Sequence, residues 1–194
     1  MKKQQLLTEL LGTEEAERLA EAELAELFGV HRVTRSIFAV RDTRGRYGHP
    51  KLMAARELYA MAMKERLAEA PVFTNPGLVK DFLVARLSGL DSEIFAALWL
   101  TPKHSLIEFD ELAVGTIDQA LVHPREVVKR ALEQSASAVV FCHNHPSGNE
   151  NPSQSDLAMT NTLKASLAAI DVRVLDHVIV AGNQTTSMAE RGLL

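Results

Sequence analysis

The second half of the chain alternates short apolar runs with amphipathic stretches, a pattern that is typical of strands and helices in turn. The apolar runs are rich in β-branched and aromatic side chains, which favour strands. The predicted strands are residues 93–101, 105–114, 138–145 and 172–181, and the predicted helices are 123–134 and 153–169. This alternation predicts an α/β or α+β domain over residues 75–194, with a mixed sheet flanked by helices.

The first half of the chain has helical spacing and helix-terminating residues instead. The predicted helices are 13–27, capped by Thr13 and ended by Gly29; 50–67, with Pro50 at its first position; and 76–87, capped by Asn75 with Pro76 at its first position. We therefore expect a small helical N-terminal region over residues 1–70 in front of the α/β domain.

The length, charge, cysteine count and apolar runs of the chain exclude several classes of protein. The chain has 194 residues, 46% of them hydrophobic, which is enough for one core of ordinary size. Its net charge of −4 does not favour a nucleic-acid coat protein, which is normally basic. Cys142 is the only cysteine and excludes an internal disulfide. The chain shows no secretory signal, and its longest apolar run, 94–100, is too short to cross a bilayer. We expect a cytoplasmic protein.

Two histidines provide the strongest chemical signal. His143 and His145 stand at i and i+2 on a predicted strand, so their side chains point to the same face. Their Cα atoms would lie about 6.6–6.8 Å apart, a separation from which two imidazoles can reach one metal ion. Pro146 and Gly148 then turn the chain, and Asp156 follows in the first turn of the next helix. Two histidines and a carboxylate leave a fourth position open, as catalytic zinc sites do.

Such a site also needs a proton-transferring group, and other roles for its residues have to be weighed. Glu93 is the candidate general acid/base, because a charged side chain is otherwise poorly placed at the start of an apolar strand. The run from Ser153 to Asp156 also resembles a helix capping box, a role that is compatible with metal binding by Asp156. Cys142 precedes His143 directly, so we assign it to the core.

Asp176 and His177 form a second polar pair inside a predicted strand. Adjacent strand residues face opposite sides, so the two cannot serve the same metal. A structural role is favoured, with one group buried against a partner and the other exposed. A role in orienting a metal ligand is the alternative.

At these residues the sequence resembles the RadC family, a branch of the JAMM or MPN-type (Mov34/PAD-1-like) metalloprotease-like superfamily. The superfamily pattern is a Glu and, far downstream, His-x-His-Pro, six residues, Ser, two residues and Asp. Its positions here are Glu93, His143-Asn144-His145-Pro146, Ser153 and Asp156. Further RadC-like segments are Asp91-Ser92-Glu93-Ile94-Phe95, Gly115-Thr116-Ile117-Asp118, His123-Pro124-Arg125-Glu126-Val127, Ser147-Gly148 and Leu175-Asp176-His177-Val178-Ile179.

The resemblance implies a cytidine-deaminase-like, curved mixed sheet and a single Zn²⁺. His143, His145 and Asp156 would be the zinc ligands, Glu93 the general acid/base, and Ser153 the donor that stabilises the tetrahedral oxyanion. The implied reaction is hydrolysis of an amide or isopeptide bond by a zinc-activated water, as in a metallopeptidase. The substrate would be a peptide or protein. No membrane partner is expected, and a homodimer is compatible with the sequence.

Two departures from the family pattern bear on function. Asn144 stands where deubiquitinating relatives have Ser or Thr, although its side chain should face away from the metal. The usual N-terminal helix-hairpin-helix is degenerate, because Arg46 replaces a glycine whose backbone would approach phosphate. The alternative function is a DNA-repair-associated nucleic-acid-binding protein, based on the basic turn with Arg41 and Arg44. A third interpretation, an HNH-type nuclease, is supported only by the order His-Asn-His at residues 143–145. A non-catalytic scaffold is a fourth, but members of the superfamily that have lost their metal lack ligands, and this chain keeps all of them.

Overall fold

The computed structural model describes residues 3–22, 27–28, 40–41, 46–115 and 122–194 of the chain. The N-terminal part contains α1 (Lys3–Leu11), α2 (Thr13–Arg18), β1 (Val40–Arg41), β2 (Tyr47–Gly48) and α3 (Pro50–Glu69). A 3₁₀ turn (Val72–Thr74) leads to α4 (Pro76–Leu87), β3 (Ile94–Leu100), β4 (Leu106–Val114), α5 (Pro124–Glu133), β5 (Ala138–Asn144), α6 (Gln154–Ala168), β6 (Arg173–Ala181) and β7 (Gln184–Ser187).

Strands β3 to β7 form one mixed sheet in the order β4-β3-β5-β6-β7. β5 and β6 are parallel and are joined through α6, whereas the other neighbouring pairs are antiparallel. A parallel pair requires a crossover, so the C-terminal end of β5 and the N-terminal end of α6 come to lie at the same edge. The predicted mixed sheet flanked by helices is confirmed. The short strand β7 was not predicted.

Both faces of the sheet are covered, which explains why every residue of β3 and β5 is buried. On one face, side chains such as Leu98 and Val140 pack with Met63 of α3 and Phe82 of α4. On the other face the core is formed by α5 and α6 against the sheet; its fully buried members include Phe95, Trp99, Phe141, Leu163 and Leu167. The result is a three-layer arrangement with the sheet in the middle.

The predicted N-terminal helix differs from the structure at both ends. Gly12, not Thr13, precedes α2: its φ of 92° suits glycine, and its carbonyl accepts the first helical hydrogen bond from Ala16. α2 ends at Arg18 rather than at Leu27, because the chain tightens into 3₁₀-like turns that bury Leu19. Position 29, the predicted stop, lies outside the described residues. None of the described helices is long and apolar enough to span a bilayer.

The helices that cover the sheet begin where the sequence indicates. Pro50 is the first residue of α3, and the Asn75 side chain accepts from the Leu78 N–H to cap α4. Arg56 of α3 is 5% exposed and holds the C-terminal end of α4. Its guanidinium donates to the main-chain oxygens of Val84, Ala85 and Ser88 and to the Ser88 hydroxyl, over 2.8–3.0 Å.

Candidate metal centre

The structure brings His143, His145 and Asp156 together at one edge of the sheet. Their candidate ligand atoms all lie within 4.8 Å of one another. The Nε2 atoms of the two histidines are 2.9 Å apart. The carboxylate oxygens of Asp156 lie 3.5 Å from His143 Nε2 and 3.4 Å from His145 Nε2. The loop between β5 and α6 therefore brings Asp156 close to both histidines, as the predicted set of three metal ligands requires.

Local structure explains this convergence. His143 is the penultimate residue of β5, and His145 follows the end of that strand. Asp156 lies in the first turn of α6, where a reciprocal capping box fixes its position. The Ser153 hydroxyl accepts from the Asp156 N–H over 3.1 Å, and Asp156 Oδ2 accepts from the Ser153 N–H over 2.7 Å. The capping box is thus present together with the short distances to both imidazoles.

The loop after β5 orients His145. Its Nδ1 lies 2.5 Å from the main-chain oxygen of Asn149, which can only accept, so Nδ1 carries the proton. Gly148 makes this return possible, because its φ of 79° lies in the left-handed region. A Cβ at Gly148 would meet nothing within 4 Å, so backbone conformation and not space selects glycine. With Nδ1 engaged, Nε2 is the nitrogen that faces Asp156.

A second histidine orients His143. His177 Nε2 lies 2.8 Å from His143 Nδ1, and Thr160 Oγ1 lies 2.6 Å from His177 Nδ1. All three residues are buried, and His177 is 0% exposed. The sequence favoured a purely structural role for His177. Its direct contact with His143 agrees better with the alternative, a role in orienting a metal ligand. Asp176 faces the other way and accepts from the Ser187 hydroxyl over 2.6 Å.

Burial and charge act in opposite directions on the pKa values of the site. Burial alone would raise the pKa of Asp156, but the two imidazoles beside its carboxylate and the hydrogen bond from Ser153 outweigh it and hold that pKa far below its usual range. The contact with Asp156 raises the pKa of His145 against the effect of burial, helped by the Asn149 carbonyl and by the charge of Glu93. Burial holds the pKa of His177 well below its ordinary value.

Glu93 reaches the same side of the sheet through strand pairing. Phe95 of β3 pairs with His143 of β5 in an antiparallel register, and Glu93 lies two residues before Phe95, just ahead of the strand. Glu93 is partly buried, and its charge contributes to the raised pKa of His145. The structure therefore brings the predicted acid/base residue to the edge of the candidate metal centre.

Asn144, between the two histidines, faces away from them and holds the backbone beside Glu93. Its Oδ1 accepts from the Ile94 N–H over 2.8 Å, and its Nδ2 donates to the Ser92 oxygen over 3.1 Å. The predicted orientation of Asn144 is confirmed, but these contacts were not foreseen. Thr160 was also missed, although its position four residues after Asp156 puts both on one face of α6.

The donor set fits zinc. Imidazole nitrogens and a carboxylate oxygen are common zinc ligands, and bonds of about 2.0–2.1 Å at tetrahedral angles separate neighbouring ligand atoms by about 3.3–3.4 Å. The distances of 3.4 and 3.5 Å between Asp156 and the imidazoles agree with that spacing, whereas the two Nε2 atoms lie closer together, at 2.9 Å. Cys142 is fully buried in the core on the opposite face, in agreement with the prediction that it is not a ligand.

Two arginines of the N-terminal region, Arg46 and Arg56, are buried against protein, whereas Lys51 is exposed beside an acidic residue. Arg46 is 5% exposed and pairs with Glu57 at 3.8 Å. Lys51 lies 3.5 Å from a carboxylate oxygen of Glu15. The buried guanidinium of Arg56 holds main-chain oxygens. The side chains at positions 41 and 44 lie outside the described residues. These contacts give no support to the nucleic-acid alternative.

Comparison with known proteins identifies the family. The sequence profile of the RadC-like JAB domain matches residues 73–193. The chain belongs to this family. Among curated RadC-family relatives, a UPF0758 protein of Methylibium petroleiphilum is 51% identical over 74% of this chain, and one of Variovorax paradoxus is 53% identical over the same share. The aligned region covers 65% and 64% of those two proteins, so the chain spans somewhat less than two thirds of their length. The resemblance to RadC noted in the sequence is therefore confirmed, and with it the JAB-type fold.

Proposed function

We propose that this RadC-like JAB chain is a zinc-dependent hydrolase that cleaves an amide bond, as a metallopeptidase or isopeptidase. The observation that carries the proposal is the convergence of His143, His145 and Asp156, with ligand atoms within 4.8 Å of one another. Each histidine has its Nδ1 in another contact, which leaves Nε2 toward the shared centre. A structural zinc site would need a fourth protein ligand, and among the described residues the cluster contains these three.

The site residues suit hydrolysis. When bound, zinc would lower the pKa of water toward neutrality and polarise a carbonyl group. Glu93, whose charge acts on His145, would take a proton from the attacking water and deliver it to the leaving amine. The Ser153 hydroxyl accepts from the Asp156 N–H, and its own proton remains available to donate to an oxyanion. In the structure the Ser153 and Ser155 hydroxyls lie 2.8 Å apart, so a substrate oxygen would compete with Ser155 for that contact.

A cavity beside His145 offers room for part of a substrate. It has a volume of about 230 Å³. Its walls come from the loop after β5, including Pro146 and Gly148, and from the connection between α4 and β3, including Ser88 and Gly89. Loops with glycines expose main-chain donors and acceptors, which suit an extended peptide. This supports a peptide or protein substrate.

Zinc binding by the purified chain is the first test. We expect one zinc ion per chain in competition titrations with a chromophoric chelator, and loss of that binding in His143→Ala and Asp156→Asn. Exposed residues of the same types serve as controls, so His123→Ala and Asp171→Asn should bind zinc as the wild type does. A wild-type chain that takes up no zinc at neutral pH, or variants that bind it unchanged, would exclude the proposed centre.

Hydrolysis is the second test. The zinc-loaded chain is incubated with libraries of peptides and of lysine-linked isopeptides, and new amines are identified by mass spectrometry. We expect cleavage that Glu93→Gln abolishes while zinc binding is retained. Zinc binding without cleavage of any amide bond would refute the hydrolase proposal and leave a metal-binding scaffold.

A further inference from the structure

Short hydrogen bonds connect the backbone of α6 to His143. Thr160 Oγ1 lies 2.6 Å from the main-chain oxygen of Asp156, one helical turn earlier. The same hydroxyl lies 2.6 Å from His177 Nδ1, and His177 Nε2 lies 2.8 Å from His143 Nδ1. We call Thr160 and His177 the relay. Asp156 therefore contributes twice, with its carboxylate at the candidate metal centre and with its carbonyl at the start of the relay.

The carbonyl of Asp156 sets the direction of these bonds. A carbonyl oxygen can only accept, so the single hydroxyl proton of Thr160 points to it. The Met188 sulfur, 3.8 Å from the same hydroxyl, is a weaker acceptor. With its proton engaged, Thr160 Oγ1 can only accept from His177, which places a proton on His177 Nδ1. If Thr160 instead donated its proton to His177, a lone pair of its hydroxyl oxygen would face the carbonyl oxygen of Asp156 across 2.6 Å.

The burial of His177 determines which of its ring nitrogens carries a proton. His177 is 0% exposed, and the described hydrogen bonds of its imidazole go to Thr160 and His143 and not to a carboxylate, so a positive charge on the ring would be costly. A neutral imidazole with its proton on Nδ1 has a lone pair on Nε2. His143 Nδ1 must then donate to His177 Nε2. A histidine that keeps its proton on Nδ1 can offer the Nε2 lone pair to a metal.

We propose that Thr160 and His177 are positioning residues that fix His143 in the Nδ1-protonated form, so that its Nε2 is the metal-binding nitrogen. This inference rests on the proposed zinc function for its purpose. The predicted proton positions themselves do not depend on zinc. The relay accepts a hydrogen bond from Nδ1 of His143, just as the Asn149 carbonyl accepts one from Nδ1 of His145.

Zinc affinity tests the purpose of the relay. Thr160→Val keeps the shape of the side chain but removes its hydroxyl, and we expect it to weaken zinc binding about 10-fold or more. Thr160→Ser restores the hydroxyl and should bind within about 3-fold of the wild type. Thr162→Val is the matched control, because exposed Thr162 makes the same hydroxyl-to-carbonyl bond to Ala158, over 2.9 Å, without touching a histidine. Equal zinc affinity in Thr160→Val and wild type would overturn the assigned purpose.

Imidazole ¹⁵N chemical shifts in the zinc-free wild-type chain test the proton positions independently. We expect protonated Nδ1 atoms on both His143 and His177 and an unprotonated Nε2 on His177. A proton on His177 Nε2 would refute the relay whether or not zinc binds, whereas absent zinc binding with the expected shifts would refute only the zinc function. If Thr160→Val does not fold, His177→Gln and His177→Phe replace it. The glutamine oxygen can accept from His143 Nδ1 and should retain more zinc affinity than phenylalanine; equal affinities would overturn the proposal.

Discussion

The side-chain oxygen of Asn144 accepts a hydrogen bond from the backbone N–H of Ile94 over 2.8 Å. The amide group of the same side chain donates to the Ser92 oxygen, so Asn144 holds the chain on both sides of Glu93. The residue between the two candidate ligands, His143 and His145, thereby connects them to the candidate acid/base, Glu93, which directly precedes the neighbouring strand. Its position on the opposite face keeps it away from the metal itself.

Replacing Asn144 tests this connection. Asn144 is 2% exposed, and Asn144→Leu would leave both backbone groups without a partner. We expect a loss of about 2–3 kcal/mol in the free energy of unfolding, measured in urea. Zinc affinity should change little, because the side chain faces away from the ligands. Asn161→Leu, at an exposed position of α6, is the control. A variant as stable as the wild type would contradict the clamp on Ser92 and Ile94.

Ser153 combines a helix cap with a proposed catalytic hydroxyl, and two variants separate these roles. Ser153→Ala should lower the free energy of unfolding by about 1 kcal/mol, because the Asp156 N–H loses its acceptor. Ser153→Asn keeps a capping oxygen and should restore most of that stability. Amide hydrolysis should remain low in both variants, since neither has the hydroxyl. Recovery of hydrolysis in Ser153→Asn would show that the hydroxyl acts only as a cap.

Arg56 is expected to be essential for the attachment of α3 to α4. Arg56→Lys keeps the charge but cannot reach the carbonyl oxygens of Val84, Ala85 and Ser88 together. We expect at least about 2 kcal/mol lower free energy of unfolding by chemical denaturation. Arg66→Lys, at an exposed position of the same helix, should change it by less than about 0.5 kcal/mol. Equal effects of the two substitutions would argue against the buried contacts.

Asp110 provides a pH-dependent contribution away from the metal centre. Burial by itself would raise its pKa, but hydrogen bonds from Arg130 and Trp99 lower it overall. A lowered folded-state pKa means that the contribution is present above the unfolded value of about 3.9 and disappears as pH falls through the folded value. Asp110→Asn should therefore cost about 1 kcal/mol at pH 7, a modest figure because the Arg130 side chain is 39% exposed.

Thermal unfolding of Asp110→Asn and the wild type between pH 7 and pH 2 measures this effect. The difference in unfolding temperature should shrink steadily below about pH 4. Glu133→Gln is the matched control: Glu133 accepts from the same Arg130 over 3.1 Å, but its side chain is 44% exposed and should contribute less. A difference that is independent of pH would contradict the assigned role of the Asp110 charge.

The sequence predicted the order and type of the main elements because their signals are local. Apolar runs gave β3, β5 and β6, and the cap formed by Asn75 with Pro76 gave the start of α4. The N-terminal prediction was less accurate, since the turns that end α2 at Arg18 depend on burial of Leu19 against other helices. The four-residue strand β7 was missed because Gln184–Ser187 has no apolar alternation.

By itself the sequence determined the candidate metal ligands: the spacing of His143 and His145, and the capping position of Asp156, are local properties of a strand end and a helix start. Only the tertiary structure decided which groups meet them. The antiparallel pairing of Phe95 with His143 brings the residues just before β3, including Glu93, toward the end of β5. The parallel pairing of β5 with β6 brings His177 against His143. Strand register depends on packing over the whole sheet, which no spacing along the chain encodes.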